Sequence, residues 1–440
     1  MKRSQGKFLI GVATLALACA SARAENLEDL PPYKMIRSLQ YVQDSVVLGD
    51  HSAMEMQRFM LATIDTRLRT AERDIFDDPR NVDAALVYAM SGGNPETLDY
   101  LADNDIDGNF DSRITESLRK YLTGKGALTA KTLGDTLPEY KNSKIGPYLA
   151  LVSGNAIAKK DARAALKHYD WARLTAPGTI VEEAALRRSL YLATQSKDLV
   201  KEGMRYSSSY VRRFLHSPYA SQFADLFVDL TVQNFDHIEE DDILQVLAFM
   251  DKPRQRTVYL RMARRAALAG MQRLAKLSSE RALALSAETD AGPKALADLY
   301  AGLVDVPTAD VASVMQAIVA IPADQLSVKD QALQRAAKAV AEEVLRKPAA
   351  ESLTQASANT VVSNDQASPV ENADVPDGAM TSAELDASMD PRAQPTQTKA
   401  LPLEASAAST GEKDPEFDSF VSAGRSKLDE IDSLLKGDKK

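Results

Sequence analysis

The densest group of hard oxygen ligands in the chain is Asp103-Asn104-Asp105-Ile106-Asp107-Gly108-Asn109-Phe110-Asp111, and the chemistry it suggests is calcium binding. Its opening has the D-x-D-x-D-G order of a calcium loop, with oxygen donors at alternate positions and glycine where the backbone must bend. Position twelve of that register requires a bidentate glutamate and holds Ile114. Starting instead at Asp105 brings Glu116 to position twelve but places Phe110 where the glycine must be. Each register fails at one essential position, so an Asp- and Asn-rich turn between two helices is the better reading. The four histidines, His51, His168, His216 and His237, stand far apart with no H-x-x-x-H or H-E-x-x-H spacing, and nothing in the sequence gathers them around a metal. No cofactor is expected.

Glu116-Ser117 raises glycan cleavage, because lytic transglycosylases are exported, can carry helical superhelices, and use a catalytic glutamate before a serine. The chain resembles them only that far. Their Gly-Leu-Met-Gln type segment is absent, and Leu118-Arg119-Lys120-Tyr121-Leu122-Thr123-Gly124 follows instead. One carboxylate on a helix is far more often a surface charge. Ser91-Gly92-Gly93-Asn94-Pro95 is glycine-rich but lacks the Lys and Ser/Thr of a phosphate loop, so it reads as a helix end and a turn. Arg212-Arg213 and Arg264-Arg265 read as solvated faces or ion pairs.

The elements that carry these residues are helices. From residue 33 to about 347 helical runs alternate with short breakers, and no run of β-branched residues follows period two, so the expected class is all-α. Residues 33–47 carry Ile36, Leu39, Tyr41, Val42 and Val46 before Gly49-Asp50; residues 51–71 carry Met54, Phe59, Leu61, Ile64 and Leu68 before Asp77-Asp78-Pro79. The most informative break is at 172–188. Pro177 cannot continue a helical ladder, Gly178 can take positive φ, and Thr179 with Glu182 fits a capping box for the next helix. Ala165, Tyr169, Ala172 and Pro177 have the spacing of the second helix of a tetratricopeptide unit, and Leu149, Val152, Ser153 and Ala156 fit the first, which makes 146–179 one 34-residue hairpin. Tyr206, Tyr210, Arg213 and Pro218 keep the spacing at a period of 41 residues but lose the small positions. The expectation is a degenerate, tetratricopeptide-like solenoid of helical hairpins, with an irregular helix bundle as the alternative.

The first 24 residues read as an export signal. Lys2, Arg3 and Lys7 precede an apolar run, residues 8–18, too short for a membrane span, and Ala22-Arg23-Ala24 forms an A-x-A cleavage site before Glu25. Cleavage between Ala24 and Glu25 places the protein in the periplasm with no membrane insertion. Cys19 offers a weaker alternative, a lipid anchor, with Ala16 where an aliphatic residue is usual. Cleavage removes the chain's single cysteine, which rules out disulfides and a cysteine nucleophile, and takes the formal charge from −9 to −13. That acidity argues against nucleic acid and against anionic lipid as partners.

Residues 25–347 therefore form the expected helical-repeat domain, and the composition changes after Pro348. The 64 residues 349–412 contain no aromatic side chain, so 348–413 is expected to be a disordered linker with a reach of roughly 45 Å. Residues 414–440 regain an amphipathic helical stripe of Phe417, Phe420, Val421, Leu428, Ile431 and Leu435. Such a helix is marginal alone in water, so its apolar face is expected either to dock on its own domain or to bind a partner.

Three segments taken together resemble the MotC family of alphaproteobacterial periplasmic flagellar motor proteins: Leu30-Pro31-Pro32-Tyr33-Lys34-Met35-Ile36-Arg37-Ser38-Leu39-Gln40, the hairpin Ala176-Pro177-Gly178-Thr179-Ile180-Val181-Glu182-Glu183-Ala184-Ala185-Leu186-Arg187-Arg188, and Arg212-Arg213-Phe214-Leu215-His216-Ser217-Pro218-Tyr219. None is catalytic, and the family carries over no active site. The resemblance implies a non-enzymatic protein required for flagellar rotation, acting in the periplasm by binding or stabilising the periplasmic part of the stator subunit MotB, near peptidoglycan. The alternative is a periplasmic cell-wall enzyme, or an adaptor for one.

Overall fold

The computed structural model describes residues 30–346, apart from 288 and 307–309. Among them the regular structure is helical, with seventeen α-helices, short 3₁₀ turns and no strand. Eight of the seventeen α-helices begin on side chains that satisfy free N–H groups. Asp78, Asn94, Asp111, Asp161, Thr179, Asp251, Asp310 and Ser327 each accept a backbone N–H at a helix start. Prolines stand in first turns, where their missing N–H costs nothing.

The first helices are α1 (Pro32–Val47), α2 (Ala53–Arg69), α3 (Pro79–Met90), α4 (Pro95–Asp103), α5 (Ser112–Leu122) and α6 (Ala130–Thr136). Two apolar residues expected in the buried stripes face solvent instead: Tyr41 is 76% exposed and Phe59 57%. At about 100° per residue Tyr41 lies roughly 200° around α1 from buried Leu39, and Phe59 lies roughly 140° from buried Ile64. On α1 the matching inward place goes to Gln43, whose amide donates to the Ser91 carbonyl at 3.0 Å.

The hairpin expected at 146–179 is present as α7 (Gly146–Ile157) and α8 (Ala162–Thr175). Leu149, Val152, Ser153, Ala156, Ala165, Tyr169 and Ala172 are all buried in or beside the seam. Gly154 makes the close approach possible, because a Cβ there would overlap the Tyr169 ring. Gly178 takes φ +78°, and the next helix, α9 (Ile180–Thr194), starts on Thr179. The Glu182 carboxylate reaches back to Gly178 N at 2.5 Å, one residue earlier than in the usual box.

The next hairpin pairs α9 with α10 (Val200–Val211). Its lost small positions are replaced elsewhere: a Cβ on Gly203 would come within 2.8 Å of Ala193 and Leu230, and Ser207 is fully buried. Beyond it lie α11 (Ala220–Gln233), α12 (Glu240–Leu247), α13 (Lys252–Leu268), α14 (Gln272–Ala284) and α15 (Ala291–Asp305), with α13 and α14 forming another tight hairpin. The last two helices, α16 (Val311–Ala320) and α17 (Val328–Leu345), pack with α15 around a small core that includes Leu299, Tyr300 and Ile318. Tyr300 donates to Asp330 of α17 at 2.8 Å.

The degeneracy of the repeat has a structural form. In an ideal array each unit touches only its neighbours, yet here α1 also meets α9, where Asp44 accepts from Ile180 N at 2.9 Å. The turn after α1 closes on the turn after α10 as well. His51 donates to the His216 carbonyl at 2.8 Å, and Gly49, at φ +116°, leaves no room for a Cβ against His216. The helix that begins at the Pro177-Gly178 break is thus central, packed against α1, α7, α8, α10 and α11 and buried around most of its circumference.

Candidate functional site

The proposed cleavage residues Ala24 and Glu25, the linker 348–413, and the apolar face of Phe417, Phe420, Val421, Leu428, Ile431 and Leu435 lie outside the described residues. The remaining candidates can be placed. The Asp and Asn string is the turn between α4 and α5, and the carboxylates of Asp103, Asp105 and Asp111 are already engaged. Asp105 accepts from Asn109 N at 2.9 Å and Phe110 N at 3.0 Å, and Asp103 pairs with Arg119 at 3.3 Å. Asp111 caps α5, accepts from Tyr140 at 2.9 Å, and is held down to about 2 chiefly by its hydrogen bonds from Arg113. Among the described residues no group of three His, Cys, Asp or Glu side chains is placed to hold an ion.

Glu116 sits half-exposed on α5 and pairs with Lys120 at 3.1 Å, while Ser117 beside it is buried. In the Ser91-Gly92-Gly93-Asn94-Pro95 turn Asn94 caps α4. Tyr88 locks that turn, donating to Asp65 at 3.1 Å and accepting from Asn94 N at 3.0 Å. The arginine pairs are engaged: Arg213 with Glu182 at 2.6 Å, Arg212 over the Phe249 ring, Arg264 with Asp330 at 3.5 Å, and Arg265 with Asp229. The histidines do not converge as a foursome, but His51 and His216 meet across the turn contact, with Arg254 3.4 Å from His216 Nδ1.

What the residue spacing missed is a cleft of about 670 Å³, within the usual size range of ligand sites. It lies where the C-terminal ends of α5, α7 and α9 meet the start of α8 and the turn at 124–127. A hydrogen-bonded chain crosses it: Asn155 donates to the Tyr121 hydroxyl at 2.7 Å and accepts from the Tyr169 hydroxyl at 2.8 Å. Burial raises the Tyr169 hydroxyl far above its ordinary range, against the lowering effect of the nearby Arg188 charge, so the phenol remains a neutral donor. Lys159 and Lys160 are exposed at the cleft, and Arg188 lines it from the buried centre of α9. Among the described residues no carboxylate lines this space. Asp161, next to Lys160, is committed to capping α8 through Ala164 N at 2.9 Å. With no nucleophile beside a base and no pair of carboxylates, the arrangement is suited to recognition by charge and hydrogen bonds. The one signal in sequence was Tyr169, read there as a packing aromatic.

Comparison with known proteins covers the whole chain. The family model described as chemotaxis protein MotC matches residues 1–440. A protein of Rhizobium meliloti (strain 1021) named Chemotaxis protein MotC is 55% identical over 428 residues, which is 96% of this chain and 96% of the relative. No solved structure matches. With a family match over the whole chain and identity at that level along nearly the full length of both proteins, the chain belongs to the MotC family of chemotaxis proteins.

Proposed function

We propose that this protein is required for rotation of the flagellum and works in the periplasm as a non-enzymatic helical scaffold that binds and stabilises the periplasmic part of the stator subunit MotB. The observation that carries the reading is the family match along the entire chain to a chemotaxis protein. Two features support it. The hairpins interlock through α9 into a stiff frame suited to holding another protein. The export signal read at 1–24 would place that frame in the periplasm, and among the described residues no helix is long and apolar enough to cross a membrane. In the rival reading, a cell-wall enzyme or an adaptor for one, the enzyme form rested on Glu116, which forms a half-exposed ion pair with Lys120.

The test is a deletion strain examined for swimming and for filaments, complemented with the full chain and with a version ending at Pro348. The expected result is normal filaments that do not turn, rescued by the full chain, with co-purification of the periplasmic part of MotB. Absent or truncated filaments, or no MotB recovered with a functional tagged chain, would overturn the proposal. Rescue by the shorter version would remove the 414–440 helix from the essential contacts.

A further inference from the structure

Tyr41 and Phe59 are the two most exposed aromatic side chains among the described residues, and both lie on the α1–α2 hairpin. Both helices pack inward on α3, so the stripes turned away from it share one outer face. On α1 that stripe runs through Arg37, Tyr41 and Leu48 at its end, and on α2 through Glu55, Phe59 and Thr66, all exposed. At about 1.5 Å per residue Tyr41 lies about 9 Å before the end of α1 and Phe59 about 9 Å after the start of α2, which sets the two rings at one level. Half-exposed Leu48 and Met56 extend the apolar surface toward the turn. Exposed aromatic and methionine side chains within a polar rim are the composition of a protein interface. We propose that two copies of the chain pair through this face, hairpin against hairpin, about a two-fold axis. The inference rests on the hairpin alone and is independent of the motility reading.

Two observations select a second copy as the occupant. The first is charge. Arg37 stands on the half of the hairpin far from the turn, whereas Glu55, with its side chain 87% exposed and Arg58 at 3.2 Å, stands beside the turn. A two-fold axis lying in the interface at the level of Tyr41 and Phe59 inverts one hairpin end to end on the other. Arg37 is about 6 Å to one side of that level and Glu55 about 6 Å to the other, so each arginine reaches the height of the other copy's glutamate. Pairing with the helices parallel would set Arg37 level with Thr63 and Glu55 level with Ser45, with no charge to match. A two-fold contact requires such self-complementarity, and rim charges of this kind fix its register. The second observation is area. A face about 24 Å long and two helices wide, about 20 Å, offers roughly 500 Å² on each copy and roughly 1,000 Å² in the pair. That is the lower end of specific interfaces, so the dimer is reversible and each hairpin folds without it.

The experiment uses the purified chain from Glu25 to its end, which contains no cysteine. Sedimentation velocity from low to high micromolar concentration is expected to show a monomer–dimer equilibrium. Tyr41→Glu/Phe59→Glu should weaken it about tenfold or more with an unchanged far-UV spectrum and melting temperature, because both residues face solvent. Val328→Glu, an equally exposed change at the start of α17, should leave the equilibrium as it is. Arg37→Glu and Glu55→Arg should each weaken the dimer at least about threefold, and the double variant Arg37→Glu/Glu55→Arg should regain it. Mild oxidation of a Tyr41→Cys variant is expected to give a disulfide-linked dimer, since the axis brings each residue 41 against its counterpart, and a Val328→Cys variant should give none. A monomer at every concentration, a dimer indifferent to Tyr41→Glu/Phe59→Glu, or a double charge variant weaker than either single one would each overturn the proposal. A chain that dimerises only after residues 348–440 are removed would give the face to another occupant and overturn it as well.

Discussion

Replacing Arg187 by methionine tests whether the charges at the centre of the molecule act as one unit. Glu183 and Arg187 lie one turn apart on α9, and their side chains are 0% and 8% exposed. The carboxylate accepts from Arg187 Nε at 3.0 Å and Nη2 at 3.2 Å, and from the Tyr210 hydroxyl at 2.9 Å. Arg187 also donates to Gln222 at 2.7 Å and stacks its guanidinium 4.5 Å over the Tyr219 ring. Removing the cation alone leaves a fully buried carboxylate with a single phenol donor, which costs about 3–5 kcal/mol. Against a total stability of about 5–15 kcal/mol that is a large fraction, readable as a lower urea midpoint in far-UV circular dichroism. The double variant Glu183→Leu/Arg187→Met removes both charges and keeps apolar volume, so it is expected to fall within about 1–2 kcal/mol of the parent. If Arg187→Met costs less than about 1 kcal/mol, or the double variant falls by the sum of the two singles, the account of a coupled buried pair is wrong.

Burial pushes the Asp44 carboxyl up to about 6 from 3.8, against the lowering effect of its bond from Ile180 N. A raised acid favours the protonated folded form, so its favourable contribution is complete below about pH 3.8 and is lost as pH rises through about 6. The full shift corresponds to about 3 kcal/mol, reduced to about 1–2 because the group is only part-buried. Asp44→Asn keeps an acceptor for Ile180 N, and should therefore be more stable than the parent at pH 7.5 by that amount, with the gap closing toward pH 4. Thermal melts across that range check it, and a less stable Asn variant at pH 7.5 would contradict it. Gly154→Ala places a methyl into the Tyr169 ring inside the α7–α8 seam. Overpacking of about 1–3 kcal/mol is set against about 1 kcal/mol of helix propensity, so a lower melting temperature is expected, and a raised one would show the seam to be loose.

Several elements were legible because their causes are local. The 146–179 hairpin could be read residue by residue, since small side chains at helical spacing and a Pro-Gly break determine a close helix pair whatever surrounds it. The same holds for the Asp and Asn turn before α5, whose carboxylates cap backbone N–H groups within a few residues. Tyr41 and Phe59 were misplaced because an apolar residue can stand on the far face of an amphipathic helix, and a count of apolar residues along the run does not separate it from the buried stripe. The cleft was invisible for a stronger reason. Tyr121, Asn155, Tyr169 and Arg188 come from four different helices, and no spacing along the chain relates them.

Alone, the sequence determined an all-helical class, the positions of the principal breaks and the family, because caps, breakers and periodicity act within a few residues. The tertiary structure decided which helix is central. Glu182-Glu183 and Arg187-Arg188 have the pattern of a solvated, ion-paired helix face, yet all four are buried. Packing by α1, α7, α8, α10 and α11 covers α9 nearly all round. Charges one turn apart can pair equally well in water or in a core. Only the neighbours brought together over more than a hundred residues of chain choose between them, as when Asp44 of α1 closes on Ile180 at the start of α9.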